Sequence, residues 1–272
     1  MEPRLQKQLI VGLVFVLIFL LLGYGVFVWV RVEPTCFDNI KNGKEDGLDC
    51  GLLACGKTCE PAILPLEIKS SQYLQTGIGD YDFVAKVYNA NTIYGASSFD
   101  YSLSFTDANG VELMKSNGSS YILPGQTKFL TAVSLKINGE AANVSMTINS
   151  VQWSKIQPFD SVVNFMIRRQ TFSPNVNGNS RFDATLYNSS NFDFDKVDVS
   201  VVLLDEAENI TGVGKTDIRT FLSGTERGFQ IQWPYSADST VVNVAIEAST
   251  NVFENSNFIK NYGTQEKFQK FY

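Results

Sequence analysis

Two hydrophobic rhythms divide this chain. Leu9 to Val30 reads LIVGLVFVLIFLLLGYGVFVWV, apolar throughout and free of charged residues. An all-round apolar segment suits lipid better than a half-exposed surface. At about 1.5 Å per residue it predicts a helix matching the roughly 30 Å of bilayer hydrocarbon. Beyond residue 80 the period is two. Phe83, Ala85 and Val87 alternate with Val84 and Lys86, and Phe99, Tyr101, Leu103 and Phe105 with Asp100, Ser102 and Ser104. Val197, Val199, Val201 and Leu203 repeat the pattern. Such alternation predicts antiparallel strands with one face on a core and the other in water. Asp107-Ala-Asn-Gly110 reads as a hairpin turn.

The strand region contains an internal repeat. Phe83-Val-Ala-Lys-Val-Tyr-Asn89 matches Phe182-Asp-Ala-Thr-Leu-Tyr-Asn188, and Phe99 to Asp107 matches Val197 to Asp205. Pro124-Gly125 answers Ser223-Gly224, and Asn143-Val144 answers Asn243-Val244. Offsets that drift by one residue between blocks are what loop insertions produce. The predicted fold class is all-β: two tandem immunoglobulin-like β-sandwiches on a single N-terminal transmembrane helix. The boundaries read as a cytoplasmic N-terminus (1–8), a signal anchor (9–30), a cysteine-rich neck (31–62), sandwiches at 63–155 and 156–256, and a tail (257–272).

Composition narrows the chemistry. The 272 residues are 44% hydrophobic and 12% aromatic, enough for packed cores. The net charge is −6 and no basic run appears, which argues against nucleic acid as a partner. Histidine is absent, which removes Ser-His-Asp and Cys-His catalysis and the commonest general base. Arg4, Lys7 and the α-amino group precede the apolar span, whereas Arg31 is soon followed by Glu33 and Asp38. The positive-inside rule then places the N-terminus in the cytoplasm and the C-terminal domains outside. A cleaved signal peptide is the alternative, but its apolar region is shorter and small residues mark its cleavage site, which Trp29-Val30-Arg31-Val32-Glu33 lacks.

The four cysteines, Cys36, Cys50, Cys55 and Cys59, lie in one short segment. An even, clustered count outside the cytoplasm predicts disulfides stapling a loop too small for its own core, with three pairings open. Their spacing does not form the paired knuckles of a zinc site. Asp38, Asn42, Asp46 and Asp49 fall at positions one, five, nine and twelve of an EF-hand-like loop with Gly43 at its turn, a candidate calcium site. Against it stand Ile40 at position three, the short Asp49 at position twelve and no flanking helices, so a disulfide-held acidic loop is the simpler reading. Calcium is the one cofactor this sequence suggests.

Cys36-Phe-Asp-Asn-Ile-Lys-Asn-Gly-Lys-Glu-Asp-Gly-Leu-Asp-Cys50-Gly51 resembles a motif of bacterial cell-surface proteins, C-x-D-x-I-x-N-G-x-E-x-G-x-D-C-G. The repeats, through Val87-Tyr88-Asn89, Leu103 to Asp107 and Pro124-Gly125 and their counterparts Leu186-Tyr187-Asn188, Val201 to Asp205 and Ser223-Gly224, resemble the FxLYD family of extracytoplasmic domains. The signature tyrosine of that family is Thr106 in one copy and Leu204 in the other. Both resemblances imply a surface protein and neither implies a substrate.

Other polar residues read more simply as structure. Asn89, Asn188, Asp107 and Asp205 fit turns. Asp193 and Asp195 fit a solvated strand face better than a paired-carboxylate site. Sequons stand at Asn117, Asn143, Asn188 and Asn209. The tail mixes Lys260, Lys267 and Lys270 with Phe258, Tyr262, Phe268, Phe271 and Tyr272, which is good docking chemistry. The functional expectation is a membrane-anchored extracytoplasmic binding or structural protein of the cell envelope, without catalysis. Its partners would be the bilayer, through residues 9–30, and an envelope protein or surface polysaccharide. The alternatives are an accessory subunit of a membrane complex, such as secretion or pilus machinery, and a carboxylate-dependent carbohydrate-active enzyme.

Overall fold

The computed structural model describes residues 3–30, 35–156, 163–237, 241–256 and 258. It divides into two compact units, Met1–Ala62 and Ile63–Tyr272.

The first unit opens with α1 (Pro3–Val30). Of this helix, Gln8–Phe27 is apolar and long enough to cross a membrane, and none of it is buried against protein. The neck that follows has little regular structure beyond the single turn α2 (Leu52–Cys55). Disulfides Cys36–Cys55 and Cys50–Cys59 close it, with Cα–Cα distances of 5.7 and 5.0 Å. Those two bonds select one of the three pairings left open by the sequence.

The second unit is built from twelve strands. Six precede residue 157: β1 (Glu67–Gly77), β2 (Asp80–Tyr88), β3 (Tyr94–Thr106), β4 (Glu112–Ile122), β5 (Thr127–Lys136) and β6 (Asn143–Lys155). Six follow residue 162: β7 (Phe165–Val176), β8 (Asn179–Asn188), β9 (Phe194–Leu204), β10 (Ile210–Phe221), β11 (Glu226–Trp233) and β12 (Asn243–Ser249). Each half forms two three-stranded antiparallel sheets of the same order: β1-β2-β5 with β4-β3-β6, then β7-β8-β11 with β10-β9-β12. The repeat read in the sequence is thus a repeat of topology.

Period-two alternation explains the two cores. Phe83, Ala85 and Val87 of β2 face Phe99, Leu103 and Phe105 of β3 in the first sandwich. Phe182, Ala184 and Leu186 of β8 face Val197, Val199, Val201 and Leu203 of β9 in the second. At about 1.5–3 kcal/mol for each large apolar side chain taken from water, these faces dominate the stabilisation. Gly125 and Gly224 hold φ of 66° and 67° in equivalent turns, where a side chain would be strained.

One expectation fails in an informative way. The outer faces of β2 and β9 do not meet water. Val84 packs with Val202, Leu204, Ile210 and Val213 in a third apolar cluster, joined by Leu74, Phe129, Val133 and Ala245. The sheets β1-β2-β5 and β10-β9-β12 therefore stack on each other, and four sheets lie face to face in sequence. Phe258, read from the sequence as part of a docking tail, is instead fully buried in the second core, 5.3 Å from the ring of Phe192. The remainder of that tail, Asn257 and residues 259–272, lies outside the described residues.

Candidate functional site

The stacking of the two sandwiches creates a polar cluster beside the third apolar layer. Lys128 begins near the start of β5 and is only 5% exposed. Its Nζ donates to Ser249 Oγ of β12 at 2.7 Å and lies 3.7 Å from the ring centroid of Tyr121. The Tyr121 hydroxyl donates to Asp198 Oδ2 of β9 and reaches Ser249 Oγ, both at 3.3 Å. Glu247 of β12 accepts from the Phe129 backbone N–H through Oε2, and from Gln126 Nε2 at 3.2 Å through Oε1. Lys128, Tyr121, Asp198 and Ser249 are thereby wired together across the two halves, with the Gln126–Glu247 pair beside them.

Burial sets the electrostatics here. Desolvation pushes the Lys128 ammonium below the usual lysine range, opposed by the charges of Glu247 and Asp198. It pushes Glu247 above the usual carboxylate range, opposed by Lys128 and the Phe129 N–H. The Tyr121 hydroxyl is driven well above its ordinary value, again chiefly by burial. Each charged form is tolerated because an opposite one sits nearby.

A cleft of about 390 Å³ opens next to this cluster. Ser97, Ser98, Ser119 and Ser120 line one wall; Asp195, Lys196, Asp198, Thr250, Asn251 and Glu254 line the other. Lys196 pairs with Asp198 at 2.6 Å. Hydroxyl, amide and carboxylate groups facing each other across a groove suit a polar ligand better than an apolar one. At a second point of the junction Asp82 of β2 accepts the Ser134 N–H at 2.8 Å, and burial raises its pKa. Tyr235 crosses to it from the second half, its hydroxyl likewise raised chiefly by burial. Gln72 completes the junction by accepting the Ile210 N–H at 3.0 Å and donating to the Glu208 carbonyl at 3.3 Å.

The residues singled out from the sequence take structural posts. Asn89 is fully buried and donates to the carbonyls of Tyr94 and Leu123 at 2.8 and 3.0 Å, while its Oδ1 accepts the Asn91 N–H. Asn188 does the same in the second copy, donating to Phe192 and Phe221 and accepting from the Ser190 N–H and hydroxyl. Each therefore pins two turns of its sandwich together. The Asn188 sequon is closed to modification in the folded state, since that side chain has no exposed surface. Asp107 Oδ1 accepts the N–H groups of Val111 and Asn109, which hold its carboxyl below the ordinary value; Asp205 is held low first by the side-chain amide of Asn209 on Oδ2, then by the N–H groups of Asn209 and Ala207 on Oδ1. Asp193 caps the Ser223 N–H at 2.8 Å, whereas Asp195 lines the cleft, so the two carboxylates do different work.

In the neck, Asp38 and Asp49, two of the four residues read as calcium ligands, cap the loop's own backbone. Asp49 accepts the N–H groups of Asp38 and Asn39 at 3.1 and 2.8 Å. Asp38 accepts the Ile40 N–H at 2.9 Å and the amide of Asn42 at 3.0 Å, and its hydrogen bond from Thr35 contributes most to holding its carboxyl low. The ammonium of Lys41 occupies the Asp46 carbonyl at 2.9 Å. Among the described residues, the group with mutually close metal-binding atoms is Cys36, Glu45 and Cys55, whose two sulfurs are bonded to each other.

Lys128, Glu247, Tyr121 and Ser249 went unnoticed in the sequence because none belongs to a motif. The one signal available was a lysine and a glutamate inside otherwise apolar strand segments.

No protein-family profile and no curated protein sequence matches the chain. Among solved structures it is similar to red sea bream transglutaminase, at 11% identity over 73% of this chain, with a TM-score of 0.23. It spans 30% of the length of that enzyme. It is also similar to calcium-binding domain CBD12 of CALX1.1, at 12% identity over 66% of this chain and 79% of that one, with a TM-score of 0.20.

Proposed function

We propose that this chain is a single-pass membrane protein, N-terminus inside, that holds two FxLYD-like sandwiches outside the cell membrane as a non-catalytic binding or structural module of the envelope. The observation that carries the reading is α1: over the twenty residues Gln8–Phe27 it is uncharged and overwhelmingly apolar, and none of that stretch is buried against protein. In water, a bare apolar surface of that extent is untenable; in hydrocarbon it is at rest. Two disulfides immediately downstream suit an oxidising exterior. The stacked sandwiches form a stiff body, and the hydroxyl- and amide-lined cleft at their junction is the place for a polar partner such as a surface polysaccharide or an envelope protein segment.

Protease added to intact cells tests this. The expected result is loss of both sandwiches and retention of a short membrane-embedded stub. Full-length protein that survives in intact cells and is digested only after lysis would contradict the proposal.

A further inference from the structure

The neck is built inside out. Glu45 and Asp49 are 6% and 9% exposed, whereas Phe37 and Leu53 are 94% and 96% exposed. A loop bathed in water sorts its side chains the opposite way, because burying a carboxylate costs more than burying a phenyl ring gains. The buried acids are not stranded: Glu45 accepts the Asn42 N–H at 3.1 Å, and Asp49 accepts two N–H groups. Turning those two acids inward removes their charge from the surface where the apolar groups emerge, leaving Asp38 and Asp46 as the exposed carboxylates of that stretch.

The apolar groups are concentrated. Phe37, Ile40, Leu48, Leu52 and Leu53 all fall within residues 37–53, while the exposed large hydrophobics after the neck are spread along residues 63–242. The cross-links gather them further. Cys36–Cys55 brings the chain beside Phe37 to the turn that carries Leu52 and Leu53. The capping bonds from the Asp38 and Asn39 N–H groups tie the chain just before Ile40 to Asp49, the residue after Leu48. Lys41, Lys44 and Lys57 stand among them, with the Lys57 ammonium 5.9 Å from the Phe37 ring. Aromatic and aliphatic groups interleaved with lysines form the chemistry of a membrane interface.

Covalent reach decides what covers this surface. Helix α1 ends at Val30, and the described part of the neck begins at Thr35, five residues on. Five residues, fully extended, span at most about 18 Å. The neck is therefore confined to the neighbourhood of the surface from which the helix emerges.

From these observations we propose that the disulfide-stapled neck is a second membrane-contact element, seating Phe37, Leu52 and Leu53 in the outer headgroup and upper acyl region of the bilayer. This rests on the anchor reading above and goes beyond it. The disulfides then have a mechanical purpose: they hold apolar side chains outward against the tendency of a free loop to collapse around them. The helix fixes the protein in the membrane; the collar limits the tilt and rotation of the chain where it leaves.

The full chain, reconstituted in phosphatidylcholine vesicles with or without lipids brominated on the acyl chain, provides the test. Phe37→Trp and Leu53→Trp each add one fluorophore, and Ile78→Trp, at a fully exposed turn position, serves as reference. Mass analysis after alkylation verifies that both disulfides have formed in each variant. The expected result is that the added emission of F37W and L53W is blue-shifted and largely lost with bromines near the headgroup, less so with bromines deep in the chain. The I78W emission should be unchanged by either lipid. If every variant floats with the vesicles, yet F37W and L53W emit like I78W, the collar is refuted and the anchor stands. If the protein fails to float at all, the anchor reading falls and the collar with it.

Discussion

Replacing Glu247 by Gln probes the junction at its most sensitive point. Gln preserves the shape of the side chain and an oxygen for the Phe129 N–H, but removes the charge that opposes the buried Lys128 ammonium. Breaking a buried pair leaves an uncompensated charge at about 3–5 kcal/mol. Asp198 also faces Lys128, and Glu247 is only half-buried, so about 2 kcal/mol is the appropriate figure. Lys128→Met strands Glu247 in the same way and should cost a similar amount. The double variant removes both charges and should lie within about 1 kcal/mol of the parent. For a folded body of this size, 2 kcal/mol corresponds to a fall in Tm of about 4–8 °C, easily read by calorimetry of the detergent-solubilised chain. The sign with pH follows from burial: the folded pKa of Lys128 lies below its ordinary 10.5, so the fold favours the neutral amine. The deficit of E247Q should therefore shrink as pH rises towards 10.5, as the stranded cation is lost. Single effects that add to the double within about 0.5 kcal/mol would refute the coupling.

Three further outcomes are expected. Asn188→Ala removes two donors and two accepted bonds at a fully buried site, and should cost about 3 kcal/mol, seen as earlier loss of the buried Trp233 emission in urea. Glu208 occupies φ of 61° where the equivalent first-copy turn has Gly110 at 81°, so Glu208→Gly should stabilise by about 1 kcal/mol and Gly110→Ala should destabilise, both read as Tm shifts. Asp82 has a folded pKa raised above its ordinary 3.8 by burial, so folding takes up a proton there and its charged form opposes the fold at neutral pH. Asp82→Asn should therefore stabilise at pH 7 in urea titrations, with the gain vanishing as pH falls through the folded pKa of the native residue.

The strands and their two cores were legible because alternation at Phe99–Phe105 and Val197–Leu203 reports a buried face directly. What alternation does not report is the fate of the second face. In β9, Val201-Val202-Leu203-Leu204 abandons the period of two, and that lapse marks burial on both sides against the first sandwich. A similar lapse at Val84 in β2 was open to the same reading. The polar cluster left no such trace. Lys128 and Glu247 are separated by 118 intervening residues in sequence and become neighbours only through the stacking of two sheets. Nor could the loop residues of the neck be assigned: acidic side chains spaced like cation ligands are chemically the same groups that cap backbone N–H donors, and only the direction of each oxygen separates the two uses. Likewise, Phe258 looked like a terminal docking residue because sequence position suggested a frayed end, whereas Phe192 offers it a core.

On the proposed reading α1 crosses the bilayer, with its N-terminal end and the sandwiches in different aqueous compartments. Single reporter cysteines read that most directly, since all four native cysteines are bonded in pairs. Ile78→Cys sits on a fully exposed turn of the first sandwich, and Gln6→Cys on the exposed first turns of the helix. With a membrane-impermeant maleimide on intact cells, labelling of I78C and protection of Q6C until the cells are opened is the expected result. Labelling of Q6C with I78C protected, or equal labelling of both only after lysis, would contradict it.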